Sequence, residues 1–196
     1  MAGNFKVSIL RFHRSVLLVS VLLVSSIVVS IYFGSIKPKT TRATIISGPF
    51  EFSLEMARTD FQRNDPQQVD NITFSVSMRN LSNKTIILLW KGHYGRMDQL
   101  ICFDFYILDA RGIQIYRWSN ENAAIGSSYT KMLSPGEQWV NYFYWYQWTE
   151  ASGYLDFAPS GAYSVVGSSH KFSLTIDNIT KSGYELETPA IMIAIV

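Results

Sequence analysis

The sequence predicts an all-β fold, an antiparallel β-sandwich, preceded by one transmembrane helix. Residues 15–33 contain no charged residue, no proline and no glycine. After them, short apolar stretches recur about every 10–15 residues, separated by Gly, Pro and Asn, as in all-β domains. No long segment after residue 33 repeats its apolar positions with the 3.6-residue period of a helix. These observations together favour a β-sandwich carried by a membrane anchor.

The apolar run Ser15–Phe33 is long enough to cross a bilayer. A helix of this length spans roughly 28 Å, close to the ~30 Å hydrocarbon core. We favour an uncleaved signal anchor, because the run exceeds a typical signal-peptide core and ends in the bulky sequence Ile31-Tyr32-Phe33. The alternatives are a signal peptide cleaved near Gly34-Ser35 and a buried helix of a soluble fold.

The orientation of this span rests on its flanks. Three basic residues precede it and three follow it, so the positive-inside rule is nearly balanced. They are Lys6, Arg11 and Arg14 before the span, and Lys37, Lys39 and Arg42 after it. Because residues 1–14 are too short to fold, we place them in the cytoplasm and the C-terminal part outside. The predicted protein is a single-pass cell-membrane protein.

The predicted domain organisation has four parts. They are a cytoplasmic basic lead at 1–14, a transmembrane signal anchor at 15–33, a stalk at 34–47 and a β-sandwich domain at 48–196. Four N-x-Ser/Thr triplets follow the anchor and are candidates for glycosylation. Their asparagines are Asn71, Asn80, Asn83 and Asn178. Such triplets arise often by chance, so they add only modest support to the outside location.

Composition argues against several classes of function. The net charge is only +2 and the basic residues are spread out, so no nucleic-acid partner is expected. The histidines His13, His93 and His170 are scattered, and nothing is spaced for a metal or an acid–base pair. There is no G-x-S-x-G elbow and no phosphate loop. We therefore expect no cofactor, no metal and no enzymatic activity.

Cys102 is the single cysteine, which rules out a disulfide within the chain. It lies in an apolar stretch that resembles a strand, where a cysteine usually acts as a small buried apolar side chain. An intermolecular disulfide or a reactive thiol is the alternative. No His or basic residue stands beside it in sequence to lower its pKa.

Alternating apolar and polar positions predict the strands of the domain. Phe50–Met56 and residues 72–78 show the period of two typical of half-buried strands. Thr85–Trp90 is predicted to be a strand buried on both faces. Further strands are predicted at 100–108, 113–118, 129–133, 138–148, 162–166, 172–176 and 190–196. The loops are predicted at 57–70, 91–99, 119–128 and 149–161, with a turn at 80–84.

The turns at 109–112 and 134–137 are predicted from their residue types. Gly112 is expected to adopt positive φ and to close a hairpin, with Asp109 bonding its own backbone. Pro135-Gly136 suits the centre of a type II turn. Asp104 lies among aromatic residues, where we expect a buried carboxylate paired with Arg117 or Arg111 across the hairpin.

Residues 138–148 form an unusually aromatic predicted strand. In a strand, Tyr142, Tyr144, Tyr146 and Trp148 would share one face. Trp139, Phe143 and Trp145 would share the other. One face must meet the core, and the other either covers a second layer or forms an exposed binding surface.

The segment FDFYILDARGIQIYRWS, followed by LSPGEQW and PSGAYSV, resembles the BsuPI family, named for an intracellular proteinase inhibitor of Bacillus. The resemblance covers about 100 residues, roughly 70–170. The chain departs from the family pattern in its anchor, in its aromatic 142–148 segment and in the loop around Gly126, which lacks an expected Phe. The matching residues are Phe103, Asp104, Phe105, Asp109, Gly112, Tyr116, Arg117, Trp118, Ser119, Pro135, Gly136, Glu137, Gly161 and Tyr163, with Asn80 and Ser82 upstream. The resemblance implies an immunoglobulin-like sandwich and, more weakly, proteinase inhibition.

The leading hypothesis from the sequence is an extracytoplasmic, membrane-anchored sandwich that binds a protein, as a proteinase inhibitor or an interaction module. The first alternative is binding of a glycan or cell-envelope polymer through the aromatic strand. The second is a surface or filament subunit that exchanges its terminal strand. An enzyme ranks last.

Overall fold

The computed structural model describes residues 40–64, 70–94, 102–121, 124–151 and 154–196. The predicted basic lead and transmembrane helix, and most of the predicted stalk, lie outside the described residues. Within the described part, no helix is long and apolar enough to cross a membrane. The chain divides into two units, Met1–Pro38 and Lys39–Val196, of which the second is described below.

The described residues form an all-β fold, with one four-residue helix, α1 (Trp118–Glu121). The strands are β1 (Thr41–Ser47), β2 (Phe50–Met56), β3 (Asp60–Phe61), β4 (Ile72–Asn80), β5 (Ile86–Tyr94), β6 (Phe103–Leu108), β7 (Gln114–Arg117), β8 (Ala124–Leu133), β9 (Gln138–Trp145), β10 (Trp148–Ala151), β11 (Tyr154–Phe157), β12 (Gly161–Ser169), β13 (Phe172–Ile176), β14 (Ile179–Tyr184) and β15 (Ile191–Ile195).

The strands are arranged in three main sheets and a hairpin. Sheet A has the order β1-β2-β4-β9, sheet B the order β3-β15-β12-β6-β7, and sheet C the order β14-β13-β5-β8. Strands β10 and β11 form the separate hairpin. The pairs are antiparallel except β3 with β15, which is parallel. The predicted all-β class with antiparallel sheets is therefore confirmed.

One face of sheet A packs against both other sheets. Phe52 of β2 meets Phe103 of sheet B with ring centroids 5.6 Å apart. Phe50 of the same strand meets Phe172 of sheet C at 5.7 Å. These rings are buried, as alternation in β2 predicts. Sheet A thus forms one layer and sheets B and C the facing one, an arrangement consistent with a β-sandwich.

The predicted stalk at 34–47 is wrong for its last seven residues, which form β1. This strand pairs with β2 along its length, from Thr41 opposite Met56 to Ser47 opposite Phe50. Because β1 is the outermost strand of sheet A, Ala43 is its one buried residue. An edge strand with so little burial carries almost no apolar pattern, so the sequence resembles a linker.

Several other elements differ from the sequence prediction. Strand β5 is not buried on both faces, since Ile86, Leu88 and Trp90 are buried while Ile87 is 37% exposed. The predicted loops at 57–70, 119–128 and 149–161 contain β3, α1, the start of β8, and the β10–β11 hairpin. Strand β14 was not predicted, because its residues are mostly exposed. Short or exposed strands bury little surface and leave a weak alternation in the sequence.

The hairpin of β6 and β7 is present as predicted. Gly112 has φ of +78°, and the Asp109 Oδ1 atom accepts hydrogen bonds from the backbone N–H groups of Arg111 and Ile113, each at 2.9 Å. The bond from Ile113 contributes most to lowering the pKa of Asp109 below its usual value. Asp109 therefore stabilises the turn as a charged acceptor.

Asp104 is fully buried and accepts four hydrogen bonds. Its Oδ2 atom lies 2.7 Å from Arg117 Nε and 2.8 Å from Ser119 Oγ. Its Oδ1 atom accepts from the N–H groups of Phe105 at 2.8 Å and Ser119 at 3.2 Å. Partial burial alone would lower the pKa of Arg117, but the hydrogen bond and charge of Asp104 outweigh it and raise that pKa. The expected pair across the hairpin is present, and it ties β6 to β7 and α1.

Gly112→Ala should lower the free energy of unfolding by about 1 kcal/mol, because an L-residue at positive φ is strained. Space is not the cause, since nothing lies within 4 Å of the added Cβ. All five tryptophans lie between residues 90 and 148, so their fluorescence in a denaturant titration reports on this domain. The control Gly161→Ala has no positive φ to strain and should leave the midpoint nearly unchanged. Equal effects of the two variants would contradict the turn assignment.

Asp104→Ala should cost about 3 kcal/mol of unfolding free energy, because it leaves the partly buried Arg117 without its partner. The control Glu51→Ala removes the exposed 2.6 Å pair with Arg42 and should cost under ~1 kcal/mol. A double-mutant cycle of Asp104→Ala with Arg117→Ala should show coupling above ~1 kcal/mol. Additive effects would show that the two side chains do not stabilise each other.

Candidate ligand-binding surface

The residues that carry the family resemblance hold the fold together. Phe103 and Phe105 are fully buried in the core. Trp118 is partly buried and packs edge-on against Phe143 at 5.6 Å. In the turn before β9, the Glu137 carboxylate accepts a hydrogen bond from the Ser134 N–H at 2.9 Å. Gly136 has φ of +76°, as the predicted turn requires. These side chains therefore contribute to stability rather than to an exposed site.

Asn80 is not available for glycosylation in the folded domain. Its side chain is fully buried, and its Nδ2 atom donates to the carbonyl oxygens of Lys84 at 2.8 Å and Leu133 at 3.0 Å. Its Oδ1 atom accepts from both the N–H and the hydroxyl of Ser82. A glycan would have to replace a proton of Nδ2, and in the folded domain both protons are used in these hydrogen bonds. The residue stabilises the turn between β4 and β5.

The other three triplets lie in different environments. Asn83 and Asn178 are exposed, so their Nδ2 atoms are accessible. Asn71 is half-buried beside the start of β4, and its Oδ1 atom has no hydrogen-bond partner among the described residues. Glycosylation of Asn71, Asn83 and Asn178 stays a prediction.

A row of exposed tyrosines runs along β9 and just beyond it. Tyr142, Tyr144 and Tyr146, the tyrosine row, are 73%, 55% and 45% exposed. Phe143 and Trp145, between them, are 2% and 0% exposed. The core therefore takes the opposite face of the aromatic segment, and the tyrosines point to solvent. The structure places these three side chains on one surface, as the alternation predicts.

Trp148 lies near this row but on another strand. Strand β9 ends at Trp145, and Gln147 adopts a left-handed conformation with φ of +61°. The prediction of one continuous strand to Trp148 is therefore wrong, since Trp148 begins β10. Its ring is nevertheless 5.5 Å from that of Tyr146.

The bend at Gln147 is fixed by a buried amide. The Gln147 Nε2 atom donates to the carbonyl oxygens of Gln62 at 2.7 Å and Asp70 at 2.8 Å. Its Oε1 atom accepts from the Asn64 N–H at 2.8 Å. An uncommon positive φ in a non-glycine residue persists where surrounding bonds hold it. Gln147 therefore joins the loop after β3 to the end of the aromatic strand.

A groove of about 350 Å³ lies on the outer face of sheet A beside the tyrosine row. Tyr142 and Tyr144 line one side, and Thr73, Ser75 and Glu55 line its floor and the other side. The strand register explains this set, since Tyr144 lies opposite Thr73 and Tyr142 opposite Ser75. Ser75 in turn lies opposite Glu55. Two aromatic side chains, two hydroxyls and one carboxylate therefore converge on one open site.

A second depression, of about 360 Å³, lies by the β13–β14 hairpin. Leu174, Ile176 and Ile179 contribute apolar surface, and Lys181 is at its margin. Tyr184 and Asp177 also line it, but no Ser or Thr hydroxyl is among its described lining residues, whereas the groove on sheet A has two tyrosines beside Thr73, Ser75 and Glu55. We therefore regard the groove beside the tyrosine row as the candidate site.

The described residues show no arrangement for metal or thiol chemistry. Among them, no group of three His, Cys, Asp or Glu side chains could hold a metal ion. Cys102 is fully buried, and its burial raises the pKa of the thiol well above the usual range. A thiol in this state is a packing group rather than a nucleophile.

Sequence reasoning found the tyrosines but missed Glu55, Thr73 and Ser75. Alternation in β2 and β4 does place these residues on the outward face of each strand. The missing information is which strands are neighbours. Strand β9 follows β4 by more than 50 residues in the chain, yet the two pair directly.

No protein-family model and no curated protein matches the chain. Several solved structures align with most of it at low scores. The ApaA protein from Bordetella pertussis has 12% identity and a TM-score of 0.36, over 80% of this chain and 90% of its own. The β-glucosidase EmGH1 from Erythrobacter marinus has 15% identity and a TM-score of 0.36, over 80% of this chain and 16% of its own. The C-terminal domain of wzt has 11% identity and a TM-score of 0.32, over 82% of this chain and 80% of its own.

Proposed function

We propose that this protein is a membrane-anchored, extracytoplasmic binding module that takes a glycan or glycan-containing envelope polymer in the groove on sheet A. The domain in this proposal is an immunoglobulin-like sandwich, and residues 15–33 are its anchor. The observation that carries the proposal is the groove itself. In it, exposed Tyr142 and Tyr144 stand beside Thr73, Ser75 and Glu55.

This set of side chains suits a sugar chain. A pyranose ring has faces of C–H groups, which pack against the electron-rich face of an aromatic ring. Its edges carry hydroxyls, which need partners such as the oxygens of Thr73, Ser75 and Glu55. The groove has an open side, so a polymer could lie across it without a chain end having to enter.

The composition of the surface favours a glycan over a protein. The centres of protein–protein interfaces are depleted in Ser and Glu and enriched in apolar and aromatic side chains. Here the outward residues of β2 and β4 are mainly Ser, Thr and Glu, with aromatic residues confined to β9. The groove also has apolar lining from Met56 and Phe74. Apolar contact to the faces of a sugar ring and hydrogen bonds to its hydroxyls are both needed in sugar recognition.

A protein partner, including a proteinase, is the second candidate, and the position of β9 favours it. Strand β9 is the outermost strand of sheet A in the described part of the chain. A peptide could extend the sheet by pairing with the free edge of such a strand. The tyrosines would then contact the side chains of the added peptide.

Tyr142→Ala and Tyr144→Ala should each weaken glycan binding about tenfold, because a lost aromatic contact is worth about 1 kcal/mol or more. Glu55→Gln should weaken it several-fold through lost charge-assisted hydrogen bonds. The measurement is retention of the detergent-solubilised protein on immobilised cell-wall polysaccharides, with competition by soluble oligosaccharides. Ile46→Ala is the control, an exposed residue of the same sheet outside the groove.

If the tyrosine variants abolish capture of a protein but the wild type retains no polysaccharide, the second candidate replaces the first. If neither activity depends on the tyrosines, the groove is not the binding site.

Protease added to intact cells or spheroplasts should remove a C-terminal epitope and leave a membrane-bound N-terminal fragment. This outcome is expected because the apolar run at 15–33 is long enough to span the bilayer and ends in bulky residues where a signal peptidase needs small ones. A protected epitope would reverse the orientation. Release of the intact domain into the medium would show that the segment is cleaved.

A further inference from the structure

Two arginines and two aromatic residues gather at the end of the domain where β9 stops. We call Arg58, Arg63, Tyr146 and Trp148 the end patch. Tyr146 is 45% exposed, the Arg58 side chain is 54% exposed, Arg63 is exposed and Trp148 is half-buried. The rings of Tyr146 and Trp148 lie 5.5 Å apart.

Hydrogen bonds to the chain on either side hold the end patch together. The Asn64 side chain donates to the Tyr146 carbonyl at 3.0 Å, which places Arg63 beside the end of β9. Arg58 pairs with Asp70 and lies over the Phe61 ring, with 4.6 Å from its guanidinium carbon to the ring centroid. The Asp70 carbonyl accepts from Gln147 at 2.8 Å. The four residues thus lie at one end of the sandwich, in segments that these hydrogen bonds join.

The chain enters the domain at this same end. Thr41 is paired with Met56, which lies opposite Phe74, and Phe74 lies opposite Phe143. Thr40 lines the groove together with Tyr144 and Ala57, the neighbour of Arg58. The opposite end of sheet A, at the 81–85 turn, is about 25 Å away along β4.

Six residues, 34–39, separate Phe33 from Thr40. Even fully extended, the connection from Phe33 to Thr40 spans no more than about 25 Å. If Ser15–Phe33 is the anchor proposed above, the end of the domain that holds the end patch cannot move far from the bilayer surface. The opposite end is free of this restriction.

The chemistry of the end patch fits lipid headgroups. Tyr and Trp concentrate at the membrane–water interface, where a ring can be partly buried while its polar atom stays hydrated. Guanidinium groups bind phosphate oxygens with two hydrogen bonds and are weakly hydrated. Asp70 offsets the charge of Arg58, whereas within the described residues no acidic side chain forms an ion pair with Arg63.

We propose that the end patch rests on the phosphate headgroups of the membrane that holds the anchor. This contact goes beyond the proposed ligand binding, although it depends on the proposed anchor. The headgroup contact fixes the tilt of the sandwich relative to the membrane. The groove lies on the adjoining outer face of sheet A, so it stays accessible to a ligand. Tyr142 and Tyr144 then contact the ligand, while Tyr146 and Trp148 contact lipid.

The test uses the full chain in nanodiscs that contain anionic phosphatidylglycerol and a lipid with a shallow nitroxide quencher. A fluorophore is attached through Gln62→Cys, an exposed position between the two arginines, or through Asn83→Cys at the opposite end. The native Cys102 is buried and does not compete for the label. We expect the label at 62 to be quenched at least threefold more than the label at 83.

Arg63→Gln and the pair Tyr146→Ser with Trp148→Ser should each reduce quenching at position 62 at least twofold. Tyr142 belongs to the same row but lies outside the end patch, so Tyr142→Ser should leave the quenching at position 62 unchanged. In nanodiscs of phosphatidylcholine alone, Arg63→Gln should reduce this quenching by less. Tryptophan fluorescence of each variant reports whether the domain is folded. Arg63→Gln changes an exposed side chain and therefore leaves the core intact.

Equal quenching of the two labels, or quenching insensitive to both sets of variants, would overturn the headgroup contact while leaving glycan retention to be judged by its own assay. Recovery of the labelled protein outside the nanodiscs would overturn it as well, since the tether would then be missing.

Discussion

The packing of one face of sheet A against two other sheets is the constraint on which the rest of the structure depends. Phe50 reaches sheet C and Phe52 reaches sheet B from neighbouring inward positions of the same strand. Because side chains alternate in a strand, commitment of Phe143 and Trp145 to this core forces Tyr142 and Tyr144 outward. The exposed aromatic surface follows from the core rather than from a separate local signal. The candidate groove owes its aromatic wall to this alternation.

Two buried polar side chains, Asp104 and Gln147, fix connections between elements that the apolar core does not determine. Each is fully buried with its oxygens or nitrogen bonded to several partners. Asp104 joins the hairpin to the helical turn that follows it. Gln147 ends the aromatic strand and gathers the loop after β3, which positions the end patch. A buried polar group with all its bonds made favours one arrangement, since any other would leave it unsatisfied.

The binding proposals assign different tasks to neighbouring tyrosines on the basis of where each lies. Tyr142 and Tyr144 stand above the sheet next to hydroxyls and a carboxylate. Tyr146 lies past the last paired residue of β9, beside Trp148, and its carbonyl is bonded to Asn64 of the segment that carries the two arginines. A planar polar face suits a sugar chain, whereas an end with rings and guanidinium groups suits a lipid surface. The residues of the BsuPI resemblance take part in neither task, because they are occupied in the core and in turns.

The sequence by itself determined the all-β class, the β6–β7 hairpin, the positive φ of Gly112 and the division of the aromatic strand into a tyrosine face and a Phe/Trp face. These depend on local rules, namely the period of two in a strand and the conformational freedom of glycine. Tertiary structure alone decided that Thr41–Ser47 is an edge strand, that Asn80 is buried, and that Glu55 stands across the sheet from Tyr142. Each of these depends on which distant strands become neighbours. Strand pairing is set by the summed packing of the whole core, and no short stretch of sequence carries that information.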